Sequence, residues 1–448
     1  MLTPAAFQTH TLRHHPQGDA IQRILAAAIQ AVAPQSAVRR FVRREGETLW
    51  VADRPYDLTK IGEIRLLGLG KAALGMALPL LELLSDRAPH TLLIPKTFSE
   101  EQTRHLPPNV ILQPGGHPVP NQNSLLAGQK ARTFVSGLKE NDLLICLISG
   151  GGSALMSAPR PGLTLDDLQQ LTASLLACGA RIDEINTLRR HLDELKGGGV
   201  ARLAEPAQVV SLILSDVVGN LLETIASGPT APDPSTRADA LSVLHKYQLL
   251  ETTPPAILHI LQTAPETPKP GEPLFERVQN VIVGSNRLAA EAALAQAVRE
   301  GFQPRFLGDT WQGEARQVAQ QLCDHLAEED LSPPFCLIAG GETTVTLRGS
   351  GRGGRNQELA LAAVSSLSAQ PGALLVTLAT DGEDGPTDAA GAVVSPETLS
   401  RGLALGLDPA SFLNNNDAYS YFSALGDLLL PGPTGTNVND LIFIFKTS

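Results

Sequence analysis

The sequence has few cysteines, no long apolar run and a shortage of positive charge, and each shortage excludes a class of protein. The four cysteines of the 448-residue chain are scattered without a Cys-x-x-Cys pair, which argues against a disulfide framework. No apolar run approaches the roughly 20 residues needed to span a bilayer, and no apolar segment follows the first histidines. Lysine and arginine total 35 against 46 acidic residues, so a nucleic-acid partner is not expected. We expect a cytoplasmic protein without membrane contact, in which local basic clusters capture any anionic substrate.

The chain is too long for one ordinary domain and has the composition of an α/β enzyme. Apolar residues make up 43% of it and aromatic residues only 4%. Apolar strands alternate with helical patterns in both halves, which predicts an α/β fold with a doubly wound, mostly parallel sheet. We predict an N-terminal domain over 1–237, a connecting helical and proline-rich segment over 238–274, and a C-terminal α/β domain over 275–448.

A run of glycines follows the most apolar strand predicted in the sequence. Residues 143–148 have the continuous apolar character of a strand buried on both faces, and a glycine turn comes directly after them. Without side chains, the backbone N–H groups of such a turn can approach a ligand closely, and phosphate is the usual one. The predicted cradle consists of Ser149, Gly150, Gly151, Gly152 and Ser153.

A second glycine turn lies upstream and carries a lysine. Gly68 and Gly70 follow a predicted strand, and Lys71 opens the next predicted helix, where a cation is unfavourable unless an anion joins it. The spacing also fits the weaker form of the dinucleotide fingerprint, so a nicotinamide enzyme must be considered. The next strand ends in Pro95-Lys96 instead of the acid that would hold a ribose hydroxyl, which weakens that interpretation. Arg65 stands where a Walker A loop requires glycine.

Two further charged groups lie near glycines or strand ends in the first half. Lys196, beside another three glycines, is a candidate for anion binding, whereas Arg189 is interpreted as part of a charged helix face. Asp216 follows the predicted strand 209–214 and is therefore expected at the ligand edge of the sheet. A carboxylate there can hold a metal or accept a hydroxyl proton.

The second half supplies arginines and clustered acids at predicted strand ends. Glycine-flanked arginines before a helix suit a polyphosphate, and carboxylates grouped in loops suit a hard cation such as Mg²⁺. Together with the glycine turns, these are the parts of phosphoryl transfer. The candidates for nucleotide or substrate binding are Gly340, Gly341, Arg352, Arg355 and Asn356. The candidates for holding Mg²⁺ are Glu342, Asp381 and Asp384.

Eight segments resemble the glycerate 2-kinase family (class II glycerate kinases, the MOFRL family) in order and in wording. They extend over nearly the whole chain, which makes a chance match very improbable. The segments are GLGKAALGMA (68–77), GGHPVPNQNS (115–124), LISGGGSALMSAP (147–159), INTLRRHLDELKGGG (185–199), LSDVVGN (214–220), ASGPTAPDP (226–234), GGETTVTLRGSGRGGRNQELAL (340–361) and TDGEDGPTDAAGA (380–392).

The resemblance implies a Rossmann-like N-terminal domain, a second α/β domain and an active site in the cleft between them. It implies transfer of phosphate from ATP to D-glycerate with a divalent cation, giving 2-phospho-D-glycerate and ADP. The family's catalytic lysine falls on Lys71, its catalytic arginine on Arg355 and a catalytic acid on Asp216. Many relatives have serine at Asp193 and an acid at Asn220.

Two other function classes stay open beside the kinase. Family members have been labelled hydroxypyruvate reductases, so an NAD(P)H-dependent reductase is the alternative. A non-catalytic sugar-phosphate-binding regulator would need the glycine cradles but not Lys71, Asp216 and Arg355 together. The sequence leaves a homodimer open.

Overall fold

The chain forms two compact units, and its first residues belong with its last. The computed structural model describes residues 2–104 and 106–447. One unit, called here the middle unit, is Pro34–Val283; the other, the terminal unit, combines Met1–Ala33 with Gly284–Ser448. The predicted borders at 237 and 274 therefore differ from the observed ones. The apolar stripe of the first long helix packs against residues 286–299, and the helical segment after 237 packs within the middle unit.

The helices and strands from the N-terminus to the end of the middle unit include every element predicted there except one. In the terminal unit's first segment they are α1 (His10–His14) and α2 (Gly18–Val32). Those that follow are α3 (Pro34–Phe41), β1 (Val42–Glu45), β2 (Thr48–Val51), β3 (Arg54–Asp57), β4 (Ile64–Leu69), α4 (Ala73–Leu83), β5 (His90–Ile94), α5 (Glu100–Thr103), β6 (Val110–Leu112), α6 (Gln122–Val135), β7 (Leu143–Ile148), α7 (Gly152–Leu155), α8 (Leu165–Ala177), α9 (Ile182–Leu192), α10 (Gly199–Ala204), β8 (Gln208–Leu214), α11 (Arg237–Lys246), α12 (Pro255–Thr263) and β9 (Val278–Gly284).

The main sheet of the middle unit has the order β6-β5-β4-β7-β8-β9. The pairs β6–β5, β5–β4, β4–β7 and β7–β8 are parallel, so the predicted α/β fold with a parallel sheet is confirmed. All six residues of β7 are buried, as its continuous apolar sequence predicts for a strand covered on both faces. Because β4, β7 and β8 are neighbours and run the same way, the segments after them begin at one edge of the sheet.

The remaining elements belong to the terminal unit. They are α13 (Asn286–Arg299), β10 (Gln303–Phe306), β11 (Trp311–Glu314), α14 (Ala315–Glu328), β12 (Phe335–Thr344), α15 (Arg355–Leu367), β13 (Ala373–Ala379), β14 (Gly391–Val394), α16 (Thr398–Ala404), α17 (Pro409–Asn414), α18 (Ala418–Leu425), β15 (Leu428–Leu429) and β16 (Asp440–Lys446).

The terminal sheet is mixed. Its order is β10-β12-β16-β13-β14-β15, with β11 beside β12. Strand β16 runs antiparallel to both of its neighbours, β12 and β13. Helices α14 and α15 bury their apolar faces against this sheet, and α2 packs on α13 within the same unit. The terminal unit therefore has its own core, separate in sequence from that of the middle unit.

One predicted helix is absent and one predicted helix starts later than expected. Residues 220–226 do not form an α-helix; within the described residues this segment contains only 3-10 turns at Val218–Asn220 and Ile225–Ser227. Residues 313–314 belong to β11, and α14 begins after them. Other 3-10 turns lie at Pro4–Phe7, Ser85–Arg87 and Pro273–Arg277. None of the helices among the described residues has the length and apolar character to cross a membrane.

Candidate active site

Two glycine turns of the middle unit are joined by hydrogen bonds at the edge of the sheet. The Lys71 amide donates to the Gly150 carbonyl at 3.0 Å, and the Ala72 amide donates to the Ser149 hydroxyl at 3.0 Å. Gly70 has a φ of +116°, and a Cβ there would lie 2.3 Å from the Ser149 oxygen. Ser149 and Gly70 thus fix the turn geometry, and the exposed Lys71 side chain projects from a rigid backbone.

Gly150 and Gly151 are surrounded by three ionisable side chains. A Cβ at Gly150 would lie 2.0 Å from Oδ2 of Asp216, and one at Gly151 would lie 3.0 Å from the His117 ring and 3.7 Å from Cγ of Lys71. The structure therefore brings Lys71 and Asp216 to the same glycine turn, as the sequence predicts from the ends of β4 and β8. It adds His117, which the sequence favoured only weakly.

The local charges keep His117 neutral. Burial lowers the pKa of its half-buried ring, and the positive charges of Lys71 and Lys96 lower it further. A neutral imidazole beside the glycine turn can accept or donate a hydrogen bond without adding charge. The positive charge that faces an anion at this turn is therefore that of Lys71.

Ser153 contacts a strained segment that replaces the predicted helix 220–226. The hydroxyl oxygens of Ser153 and Ser227 are 2.8 Å apart, and Ser227 reaches Oδ1 of Asn186 at 3.4 Å. Ala226 and Ser227 both have positive φ values, +51° and +61°. Such backbone strain concentrates at functional sites, where the surrounding structure maintains it. Helix α7 after the glycine turn is a single turn, so the N–H groups of the turn and Lys71 carry the anion affinity here.

Lys196 does not reach the glycine cradle as an uncompensated cation. Its Nζ is buried, lies 2.5 Å from Asp193 and donates to the Met156 carbonyl at 3.1 Å. Burial lowers the pKa of Lys196, while the charge of Asp193 opposes that shift. The spacing of three residues from Asp193 to Lys196 could have suggested this pair.

Arg189 is the residue that sequence reasoning undervalued. It lies on α9, yet it lines a pocket together with Ser153, Asp193 and Lys196. Burial lowers its pKa, and no acidic group counters this shift. The pocket closes only when α8 folds against α9, which a motif search along the chain does not reveal.

In the terminal unit, Arg355 is held between two carboxylates at the start of α15. Its Nε and Nη2 donate to Asp440 at 2.5 and 3.1 Å, and its Nη1 lies 3.1 Å from Glu342. Burial alone would lower the pKa of Arg355, but the adjacent charge of Asp440 outweighs it, so the pKa is raised. Asp440 was not singled out from the sequence, although it opens the predicted strand 440–445.

Asp384 sits at the N-terminus of α15. Its carboxylate accepts the Gln357 amide at 2.9 Å and faces the Asn356 side chain at 3.4 Å. Burial, with Asp440 nearby, raises its pKa to about 6. A Cβ at Gly354 would lie 2.3 Å from Asp384, so the glycine before Arg355 admits the carboxylate. The side chains of Asp384 and Asn356 thus fix the start of the helix that carries Arg355.

Other predicted binding residues of this unit have different surroundings. Gly340 and Gly341 lie inside β12, where a Cβ would meet Asn286 at 1.7 Å and Trp311 at 2.0 Å. The predicted strand end at 340 was therefore wrong, because the strand continues to 344. Arg352 is exposed and stacks over Tyr419 with its guanidinium 4.0 Å from the ring centroid.

The predicted magnesium ligands do not form a closed carboxylate cage. Residues 2–104 and 106–447 contain no group of three or more His, Cys, Asp or Glu that could hold a metal ion. Asp384 is directed at the start of α15, and Glu342 faces Arg355. Asp381 is half-buried in the loop after β13, where its carboxylate accepts the Glu383 amide at 3.3 Å.

Comparison with known proteins places this pair of units in a family. Residues 20–262 match a domain of unknown function (DUF4147), and residues 335–440 match the MOFRL family. The chain is 39% identical to D-glycerate 2-kinase of Thermotoga maritima, over 94% of this chain and 96% of that protein. It is also 39% identical to glycerate kinase of Homo sapiens, over 95% and 92% of the two chains.

Two solved structures have the same fold. A crystal structure of glycerate kinase from Thermotoga maritima matches with a TM-score of 0.84 and 37% identity, covering 95% of this chain and 98% of that one. A crystal structure of a protein from Pyrococcus horikoshii matches with a TM-score of 0.85 and 36% identity, covering 96% and 98%. An α/β phosphotransferase is the class that these matches define. The chain belongs to the MOFRL family of glycerate kinases.

Proposed function

We propose that this protein transfers the γ-phosphoryl group of ATP to the 2-hydroxyl of D-glycerate, giving 2-phospho-D-glycerate and ADP. One observation carries the proposal: a glycine turn has a lysine and a carboxylate on either side of it. A Cβ at Gly150 would meet Asp216, and a Cβ at Gly151 would approach Lys71. A phosphoryl acceptor site needs this combination of N–H donors, a cation and a proton acceptor.

Asp216 is the group that we assign to the substrate hydroxyl. The acceptor oxygen forms a bond to the γ-phosphorus while the bond from that phosphorus to the β,γ-bridging oxygen breaks and leaves ADP. The hydroxyl proton passes to the Asp216 carboxylate, which the end of β8 aims rigidly. The Lys71 ammonium and the N–H groups of 150–153 then stabilise the charge on the phosphoryl oxygens.

We assign nucleotide phosphates and Mg²⁺ to the terminal unit. Arg355 and Arg352 are the cations for the phosphates, and Asp381 and Glu342 are the oxygen donors that suit Mg²⁺. Two carboxylates are an ordinary protein contribution, since Mg²⁺ completes its shell with substrate phosphates and water. Asp384, the third predicted donor, uses its carboxylate on the start of α15. When bound, Mg²⁺ neutralises phosphate charge during transfer.

We place the reaction in the cytoplasm. The four cysteines of the described residues are free, and Cys146, Cys323 and Cys336 are buried. Burial raises the pKa of the Cys146 thiol to about 12, so it stays an inert thiol at neutral pH. A reducing compartment suits a chain built in this way.

A coupled assay tests the proposed reaction against the reductase alternative. Purified protein receives ATP, MgCl₂ and D-glycerate, and ADP release is followed together with direct conversion of the product by enolase, which accepts the 2-phosphate. A parallel reaction receives NADH or NADPH with hydroxypyruvate. We expect ADP release that stops when EDTA removes Mg²⁺. Reduction of hydroxypyruvate without ATP turnover contradicts the proposal, and a product that enolase ignores contradicts the 2-hydroxyl assignment.

A further inference from the structure

A pocket of the middle unit has an apolar wall and a polar wall that face each other. Leu168 and Leu171 of α8 and Leu188 of α9 contribute to the apolar wall. The polar wall carries Ser153 of the glycine turn and Arg189 of α9, next to the Lys196–Asp193 pair. A pocket with one apolar wall and a few polar groups is the usual form of a site for a small organic ligand.

Arg189 differs from the other cations around it. Arg190 pairs with Asp233 at 2.8 Å, and Lys196 pairs with Asp193 at 2.5 Å. Arg189 forms no ion pair within the described part of the chain, and its one acceptor is the Asn186 amide oxygen at 3.4 Å. A half-buried guanidinium without a counter-charge is costly unless a ligand supplies that charge. The counter-charge missing from the pocket is a single negative one.

Arg189 is connected to the glycine turn by a row of polar contacts. Its guanidinium contacts Asn186, Asn186 contacts the Ser227 hydroxyl, and Ser227 contacts the Ser153 hydroxyl. Ser227 holds this place through its positive φ of +61°. A ligand held by Arg189 in the pocket therefore lies beside the turn that we assign to the phosphoryl group.

We propose that Arg189 binds the carboxylate of the acceptor substrate and makes the site selective for a small 2-hydroxy monocarboxylate. The inference rests on the proposed kinase reaction for the identity of the acid. The planar guanidinium can hold both carboxylate oxygens. Asp193 already neutralises Lys196, so a second carboxylate on the substrate meets no spare cation in this pocket. A dicarboxylate and a neutral polyol are both disfavoured, for opposite reasons.

The test compares Arg189→Gln with Arg181→Gln, an exposed arginine next to the same helix that pairs with Asp183. Binding of D-glycerate without nucleotide is measured by titration calorimetry, and KM and kcat are measured with D-glycerate, tartronate and glycerol. We expect Arg189→Gln to raise the dissociation constant and KM for D-glycerate about 10- to 100-fold. We expect KM for ATP to change less than about twofold, preference over glycerol to fall, and Arg181→Gln to resemble the wild type.

The outcomes separate this inference from the proposed function. Wild-type affinity for D-glycerate in Arg189→Gln overturns the inference while leaving the kinase reaction intact. Wild-type protein that binds D-glycerate through Arg189 but does not phosphorylate it overturns the function and leaves the inference standing. Wild-type protein that prefers tartronate, or that does not bind D-glycerate, overturns the inference. If Arg189→Gln fails to fold, Arg189→Lys keeps the charge but loses the paired hydrogen bonds, and its KM must still rise.

Discussion

The two units hold their candidate catalytic cations in opposite ways. In the middle unit, Lys71 is exposed, and what is fixed is its backbone, by hydrogen bonds between two glycine turns. In the terminal unit, Arg355 is fixed at its guanidinium, by Asp440 and Glu342. The lysine can follow a group that moves during transfer, whereas the arginine presents charge from a set position. Rigid glycine turns and acid-held arginines are thus two solutions to binding phosphate oxygens.

The largest effect is expected from removing the mobile cation. Lys71→Ala should lower kcat on the order of 10³-fold, because one charge that stabilises the transferred phosphoryl group is lost. The exposed side chain contributes little to folding, so the unfolding midpoint in urea should stay close to that of the wild type. Near-normal turnover in Lys71→Ala would exclude this residue from the chemistry.

A second pair of variants separates the acid of the middle unit from the acid of the terminal unit. Asp216→Asn should lower kcat about 10²- to 10³-fold with KM for ATP largely unchanged, because the proton acceptor is lost. Asp381→Asn should instead raise the Mg²⁺ and ATP concentrations needed for half-maximal rate. Steady-state kinetics with Mg²⁺ and ATP varied independently distinguish the two. The reverse pattern would exchange the roles of these residues.

A smaller effect is expected from loosening the fixed arginine. Asp440→Asn keeps the shape of the side chain but removes the charge that holds Arg355, so kcat should fall about 10-fold through misplacement of the guanidinium. The free energy of unfolding should fall by about 1 kcal/mol, since Glu342 still pairs with Arg355. Urea unfolding and kinetics measure both. Unchanged kcat would mean that Arg355 needs no second carboxylate to position it.

The smallest effect concerns His117 beside the glycine turn. Lys71→Met should raise the pKa of His117, because the charge of Lys71 is one cause that lowers it. The pKa should stay below its ordinary value, since burial is the larger cause. Titration by NMR of the ring C–H measures this. Lys96→Met is the matched control and should give a smaller shift in the same direction; a larger shift than in Lys71→Met would contradict the geometry.

The parts of the site that follow strands could be predicted from the sequence, and the parts built by distant packing could not. Lys71 and Asp216 were predicted together because parallel neighbouring strands end at one edge. Arg189 and Asp440 were not predicted, because each acquires its surroundings from an element far away in the chain. The same reason explains α2, whose apolar stripe predicts burial but does not identify α13 as its partner. Gly340 and Gly341 resemble a binding turn in sequence, yet Asn286 and Trp311 occupy the space beside them.

The position of β16 in the terminal sheet has a consequence for synthesis of the protein. This strand lies between β12 and β13, although it follows every other strand of that sheet in the chain. While the ribosome is still making the segment between 380 and 440, the edges of β12 and β13 have no partner for their central hydrogen bonds. The middle unit, complete at residue 283, can fold during this interval. The N-terminal helix α2 must wait for α13, so the nascent chain carries an apolar surface that chaperones can recognise.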